Sequence, residues 1–505
     1  MQYLLRGLEA PRREAVFHSE SDAAWTYEQL FDRTRSVAAR LMTSRGWNPG
    51  NRVGLVLPRR KESVALLLGI FGAGGVAVPF SVRGTAREIG YQIVDAGISH
   101  IIFPFESAVH QVLTEAVARA GGHGVIPQLL AAGSLLEGTP TRQQLDLVPD
   151  APALILYTSG TTGQPKGVVH TNASLMAQVD VLYRSWEWNA DDRLLHVLPL
   201  HHIHGLVNGV LGALWAGAGL RFVDSFAPAD VWNEVASQRV SVLYAVPTIY
   251  HQLTDVWERQ NLETRRQWTD GAGRLRLMVS GSAALPARLW NRWLDITGQA
   301  LLERYGMTEI GMAISNPLRG ERRPGTVGQP LPGFQVRIVA DDGSLAPDGM
   351  PGEIHVQGPA LFQGYWNQPA ATRASFRDGF FLTGDVAEVQ NGYICIRGRA
   401  SVDILKSAGY KLSALEIEEV LRDHPAIREV AVVGTPDAEW GEIVTACIIL
   451  APGQSLTLEQ VRAWCQDKLA SYKLPRRLDI RPELPRNAMG KVIKPDLIRQ
   501  LTASS

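Results

Sequence analysis

The apolar positions of this chain change rhythm twice. Through residues 1–150 they alternate between helical spacing and short continuous runs, which predicts helices interleaved with buried strands. Trp25-Thr-Tyr-Glu-Gln-Leu, with its threonine cap and early glutamate, marks a helix start, and Arg52-Val-Gly-Leu-Val-Leu-Pro58 reads as a strand ended by proline. Ser63 to Val82 is the one apolar run long enough to cross a bilayer. Its glycines at 69, 72, 74 and 75, with Pro79, predict instead a buried helix, a glycine turn and a buried strand. The same unit recurs from Leu211 to Val223, and two such α/β units fit two similar sheets packed together.

From Gly325 to Gly398 the rhythm becomes period two, as in Phe334-Gln-Val-Arg-Ile-Val339 and Gly352-Glu-Ile-His-Val-Gln-Gly358, which predicts a β-barrel-like region. Beyond Gly398-Arg399 helical and strand patterns alternate again: a helix from Leu415, a strand over Glu429–Gly434, and a helix over Leu458–Leu469. The expected fold is α/β. A large N-terminal domain, 1–398, holds two α/β subdomains plus the β-barrel-like region, and a small mobile α+β C-terminal domain, 399–505, starts at a boundary within Arg399–Asp403.

Composition narrows the function by exclusion. A chain of 505 residues exceeds one core. Lys+Arg and Asp+Glu are each 50, so no net field steers it to nucleic acid or anionic membrane. Cys395, Cys447 and Cys465 match no zinc or disulfide spacing, and the N-terminus lacks an apolar core of signal-peptide length. A reduced, cytoplasmic setting with small-molecule partners is expected.

One stretch concentrates the chemistry: Tyr157-Thr-Ser-Gly-Thr-Thr-Gly-Gln-Pro-Lys166-Gly-Val-Val-His170. Apolar runs on both sides predict a hairpin whose loop, Thr158, Ser159, Gly160, Thr161, Thr162 and Gly163, offers N–H and hydroxyl donors to a polyphosphate, with Lys166 adding charge. It is not a Walker loop, because Pro165 precedes the lysine and Gly167 follows it. Downstream, Thr308-Glu309 sets a hydroxyl beside a carboxylate, a pair suited to holding Mg²⁺ against phosphate oxygens. Thr383-Gly-Asp385 supplies a carboxylate at a turn, and Gly490-Lys491 a lysine able to stabilise charge on a phosphoryl group.

Taken together these stretches resemble the adenylate-forming superfamily of acyl-CoA synthetases, peptide-synthetase adenylation domains and firefly-type luciferases. The resemblance covers nearly the whole chain and implies ATP, Mg²⁺ and CoA as ligands. It implies that Gly281, Ser282 and Ala283 form the adenine loop, that Tyr305 of Arg304-Tyr305-Gly306 stacks on adenine, and that Asp385 with Arg399 grips the ribose. Glu309 and Thr161 would serve the metal, and Thr308, Glu309 and Lys491 catalysis. Lys406, Gly409 and Tyr410 would act in thioester formation.

The acid is read from two further stretches. Leu198-Pro-Leu-His201-His202-Ile-His204-Gly resembles the acyl-pocket gate of malonyl-CoA synthetases. Met307, Ser315 and the pair Arg322-Arg323 continue that likeness, since a dicarboxylate keeps a free charge that must be paired when buried. The expectation is an ATP-dependent acid–thiol ligase for malonate or methylmalonate, with His202, His204, Met307, Ser315, Arg322 and Arg323 around the acid. A short- or medium-chain fatty acyl-CoA synthetase, an adenylation enzyme loading a carrier protein, and a luciferase-like oxidoreductase are the alternatives.

Overall fold

A computed structural model describes residues 2–18, 24–103, 109–158, 165–223, 226–407, 410–437, 440–486 and 492–503. Among them, no helix is long and apolar enough to cross a membrane. Two large sheets carry most of the chain. One has seven strands in the order Gly364–Tyr365, Lys166–Thr171, Pro152–Thr158, Val76–Phe80, Arg52–Val56, His100–Phe103 and Gln128–Ala131. The other has nine, and its central run is Leu302–Met307, Leu277–Ser280, Val242–Ala245, Arg193–His196 and Gly219–Phe222. Leu55 and Leu154 of the first sheet share one buried cluster with Leu194, Leu220 and Val279 of the second, so the two sheets have a common core.

Local sequence explains the repeated unit. Beyond its first turn the helix Lys61–Gly72 is apolar all round and buried, as a helix between layers must be. It ends at a turn where Gly74 has φ +72°, and the strand Val76–Phe80 follows. In the second copy Gly217 also has φ +72° before the strand Gly219–Phe222. A left-handed backbone favours glycine, so both turns need it. The cap at Thr26 is a full capping box, closed by Gln29 rather than by the glutamate beside it.

The β-rich region is an antiparallel five-stranded sheet built on Phe380–Gln390, which pairs with Gly352–Gln357, Phe376–Arg377 and Tyr393–Arg399. Asp385 therefore lies inside a long strand and not in a turn. Gly384 (φ +72°) and a register shift between Val386 and Ala387 bend that strand at the carboxylate. The last sheet, also five-stranded, is Tyr410–Ser413, Ile404–Ser407, Gly441–Leu450 and Ile427–Asp437, with Arg477–Ile480 beside Gly441–Leu450. Its two core clusters draw only on residues 405–501, whereas the first core draws on residues 3–394.

Candidate active site

The hairpin pairs Thr158 with Lys166, so its loop departs and returns at one point of the sheet. Ser159, Gly160, Thr161, Thr162 and Gly163 lie outside the described residues. The loop's stem is held on both sides. Tyr91 donates its hydroxyl to the Pro165 carbonyl (3.0 Å), and Tyr157 donates to Asp95 Oδ2 (2.6 Å). Lys166 Nζ sits 5.0 Å from the centre of the Tyr365 ring.

Thr308 and Glu309 are tied to the same hairpin. His170, fully buried, donates from Nε2 to the Thr308 carbonyl (2.7 Å), and burial lowers its pKa to about 4, so the ring is neutral at pH 7. Glu309 is 6 % exposed and accepts a hydrogen bond from Tyr365 (3.1 Å). Burial raises its carboxyl above the ordinary range against the pull of its hydrogen bonds. Neither His170's bond to Thr308 nor Tyr365's bond to Glu309 is signalled by the local sequence.

Next to Glu309 stands a second acidic group. Tyr305 donates to Asp385 Oδ2 (2.6 Å). Arg399 forks onto the same carboxylate, with Nε 3.0 Å from Oδ1 and Nη2 3.3 Å from Oδ2, while its Nη1 donates to the Thr383 carbonyl. A carboxylate gripped by a guanidinium fork is fixed in plane. Gly306 packs so closely that a Cβ there would lie 2.0 Å from the Gly311 carbonyl oxygen.

The turn Gly281-Ser282-Ala283 leaves the strand Leu277–Ser280, with Ser282 at φ +70°. Gly281 is required by a side chain rather than by its backbone: a Cβ would lie 2.5 Å from Arg304 Cζ. Arg304 is 4 % exposed, and its Nε and Nη2 have no hydrogen-bond partner among the described residues. Burial lowers its pKa to about 10, which leaves it charged at neutral pH. Beyond the turn, Leu285 N–H is held by Glu303 Oε1 (3.0 Å), whose burial pushes that carboxyl up to about 8.

Around Arg304 lies a cluster of neutral polar groups. Ser282 Oγ meets His204 Nδ1 at 3.2 Å, and the His204 and Tyr244 rings are 5.8 Å apart. His204 Nε2, His202 Nε2 and Ser280 Oγ are buried and lack partners among the described residues. Desolvation holds His201 at about 3 and His202 at about 4, and His204 well below its ordinary value, where Arg304 adds to the effect. His204 opens a π-helical segment, His204–Leu211, a rare geometry that recurs at functional sites.

The expected arginines are elsewhere. Arg322 spends its fork on main-chain carbonyls of Pro317 (3.2 Å), Ala300 (2.6 Å) and Leu318 (2.9 Å). Arg323 lies over the Tyr393 ring and pairs with Glu321 at the surface. Each guanidinium is engaged locally, whereas the buried arginine beside His204 is Arg304. Ser315 is likewise engaged, accepting from Trp186 Nε1 (3.1 Å) and donating to the Asn316 carbonyl (2.7 Å). Met307, half-buried, ends the strand Leu302–Met307 opposite Gly311.

In the C-terminal sheet, Lys406 is exposed and its N–H donates to Glu442 Oε2 (2.6 Å). Tyr410 is 53 % exposed and stacks on Tyr472 with centroids 4.4 Å apart. Gly409 and Lys491 lie outside the described residues.

The stem of a hairpin whose loop sequence is rich in hydroxyls, the buried Glu309 beside half-buried Thr308, and an Asp385 gripped by an arginine are the parts an adenylate-forming enzyme would use. The chain belongs to the AMP-binding enzyme family: residues 6–366 match that family and residues 416–491 match the AMP-binding enzyme C-terminal domain. It is 42% identical over 481 residues to a malonate–CoA ligase of Arabidopsis thaliana, covering 90% of this chain and 78% of that protein. It is 41% identical over 512 residues to the mitochondrial malonate–CoA ligase ACSF3 of Bos taurus, covering 94% and 86%. ATP-bound MatB from Rhodopseudomonas palustris superposes with TM-score 0.89 at 33% identity, covering 99% of this chain and 98% of that one. Apo MatB, at the same 33% identity and covering 99% and 97%, gives 0.80. The arrangement of this chain is thus nearer the ATP-bound one.

Proposed function

We propose that the protein is an ATP-dependent malonate–CoA ligase that works through an enzyme-bound acyl-adenylate. One malonate carboxylate attacks the α-phosphorus of ATP and pyrophosphate leaves. The thiol sulfur of CoA then attacks the acyl carbonyl, AMP leaves with the C–O bond electrons, and the thiol proton is released. The family and the malonate–CoA ligases at about 40% identity support this reading.

The single observation that carries the choice of acid is Arg304. A buried guanidinium with two unpartnered nitrogens carries a large desolvation cost unless an anion completes it. Malonate brings a second carboxylate at the right end of its chain to do so, with neutral His204 and Ser282 as further polar neighbours. A fatty acid would leave Arg304 unpaired against methylenes. Methylmalonate satisfies the same charge.

In this reading Thr158, Ser159, Gly160, Thr161, Thr162, Gly163 and Lys166 cradle the phosphates. Tyr305 and the turn Gly281–Ala283 receive adenine, Asp385 and Arg399 orient the ribose, and Lys491 stabilises the first transition state. Lys406, Gly409 and Tyr410 serve the thiol step. The buried carboxylate of Glu309, with a hydroxyl beside it in sequence, fits a magnesium ion that is mostly held by phosphate and water. Bound there with Thr161, Mg²⁺ would neutralise charge on the phosphate oxygens. The free, buried Cys395, Cys447 and Cys465 fit a reducing compartment.

The test is AMP release over malonate, methylmalonate, butyrate and octanoate, with CoA or with a carrier protein as acceptor. Release with malonate or methylmalonate and CoA supports the reading. A preference for butyrate or octanoate overturns the dicarboxylate assignment, and release with the carrier protein alone overturns the ligase.

A further inference from the structure

Lys494 opens the helix Lys494–Ala503 and is buried, yet it has no part in the roles above. Its Nζ is 2.5 Å from Asp403 Oδ1 and 2.7 Å from Glu418 Oε1. Both carboxylates are otherwise used. Asp403 Oδ2 accepts the Arg399 N–H (3.0 Å), and the Asp403 N–H returns to the Arg399 carbonyl (2.7 Å). Glu418 Oε1 accepts the Val432 N–H (2.9 Å), and its Oε2 accepts from Arg422 (2.7 Å). One ammonium therefore joins the turn 399–403, the helix Ala414–Arg422 and the start of the last helix.

The sequence runs from Lys491 to Lys494 in three steps. On the two sides of residues 487–491, Arg486 bridges Val492 and the Ile493 N–H donates to the Pro485 carbonyl (2.8 Å). At the other end of the network Arg399 is the residue that grips Asp385. Gly398, at φ +128°, leaves no room for a side chain, since a Cβ would lie 2.4 Å from Asp403 Cβ.

From this connectivity we infer that Lys494 is a positioning residue for adenylate formation: it fixes the start of the helix Lys494–Ala503, three residues after Lys491 in the sequence, to the turn 399–403, and so to Asp385. A buried lysine between two carboxylates is a poor way to gain stability, because apolar side chains of similar volume do as well or better. It does set one geometry, and misplacing a catalytic group by about 1 Å can cost about 100-fold. The inference rests on the catalytic reading of Lys491.

Both half-reactions are measured on Lys494→Met, Lys494→Arg and Lys491→Ala, each checked for a cooperative unfolding transition. Lys494→Met is expected to slow malonate-dependent pyrophosphate release by about 10- to 100-fold with KM for ATP little changed. CoA thiolysis of presynthesised malonyl-adenylate should stay within about twofold, and Lys494→Arg should restore part of the first step. Equal loss in both half-reactions, or an unchanged first step, overturns the inference. If Lys494→Met does not fold, Asp403→Asn removes one partner and the same split is expected. Should Lys491→Ala keep adenylation, the reading of Lys491 fails and takes this inference with it. Should Lys491→Ala lose adenylation while Lys494→Met keeps it, the role of Lys494 alone fails.

Discussion

Two buried cations in this protein sit in opposite circumstances. Lys494 has both neighbouring carboxylates in contact, and those carboxylates are themselves satisfied by main-chain N–H groups and Arg422. Their attraction, Glu418 first and Asp403 second, outweighs the burial that would otherwise lower the lysine, so its pKa is raised. Arg304 is equally buried, yet two of its nitrogens find no partner among the described residues, and its pKa is lowered. A cation completed by the protein holds architecture together. A cation left incomplete, beside a glycine that makes room for it and a histidine that stays neutral, is in the proposed function the partner of the acid's free carboxylate.

That contrast can be broken most severely by removing a partner of Lys494. Glu418→Ala leaves Lys494 on Asp403 alone and Arg422 on Glu419 alone, and should destabilise the C-terminal part by roughly 3–5 kcal/mol, read in urea unfolding. Arg304→Met should do the reverse. Deleting an uncompensated buried charge should leave the ligand-free protein as stable as wild type or more so, by about 1–4 kcal/mol. If Arg304→Met is as damaging as Glu418→Ala, Arg304 is structural.

Glu303 sharpens the comparison through pH. Its folded pKa, about 8, lies above the ordinary 4.5, so the folded state binds a proton that the unfolded state releases between those values. The stability this contributes is full below pH 4.5 and is lost as pH rises through 8. The loss should reach a few kcal/mol. Glu303→Gln keeps the acceptor for the Leu285 N–H, and should flatten the decline of unfolding free energy between pH 6 and 8.5. A wild-type curve as flat as the variant's would contradict the buried-acid assignment.

The smallest effect is expected where Arg323 meets solvent. Its partner Glu321 is exposed, and such solvent-screened pairs contribute little. Arg323→Ala should leave the urea midpoint essentially where it is and change malonate turnover by less than about twofold. A hundredfold loss would return Arg323 to the acid pocket.

Much of this was legible in the sequence, for identifiable reasons. The hairpin of residues 152–171 announces itself by apolar runs around a glycine–threonine loop, and the repeated helix–glycine–strand unit is written in Gly74 and Gly217. Arg304 reads from the sequence as part of the nucleotide motif because it adjoins Tyr305, and its place beside His204 shows only in the structure. Side chains on a strand alternate, so the neighbour of Tyr305 along Leu302–Met307 faces away from Asp385. That period-two rule was the available signal. Asp385 read as a turn residue because Thr-Gly-Asp is turn-like, whereas the structure absorbs the glycine in a bent strand. The contact between Lys494 and Asp403 spans 91 residues, and no local pattern encodes it.

The central claim, that Arg304 selects a dicarboxylate, is tested most directly by AMP release with malonate and with butyrate on wild type and Arg304→Met. The account predicts that the wild type prefers malonate. The variant should lose about two to three orders of magnitude on malonate, since breaking a buried charge pair costs roughly 3–5 kcal/mol, while butyrate turnover holds or rises. An Arg304→Met enzyme that keeps the wild-type ratio of malonate to butyrate turnover would contradict it.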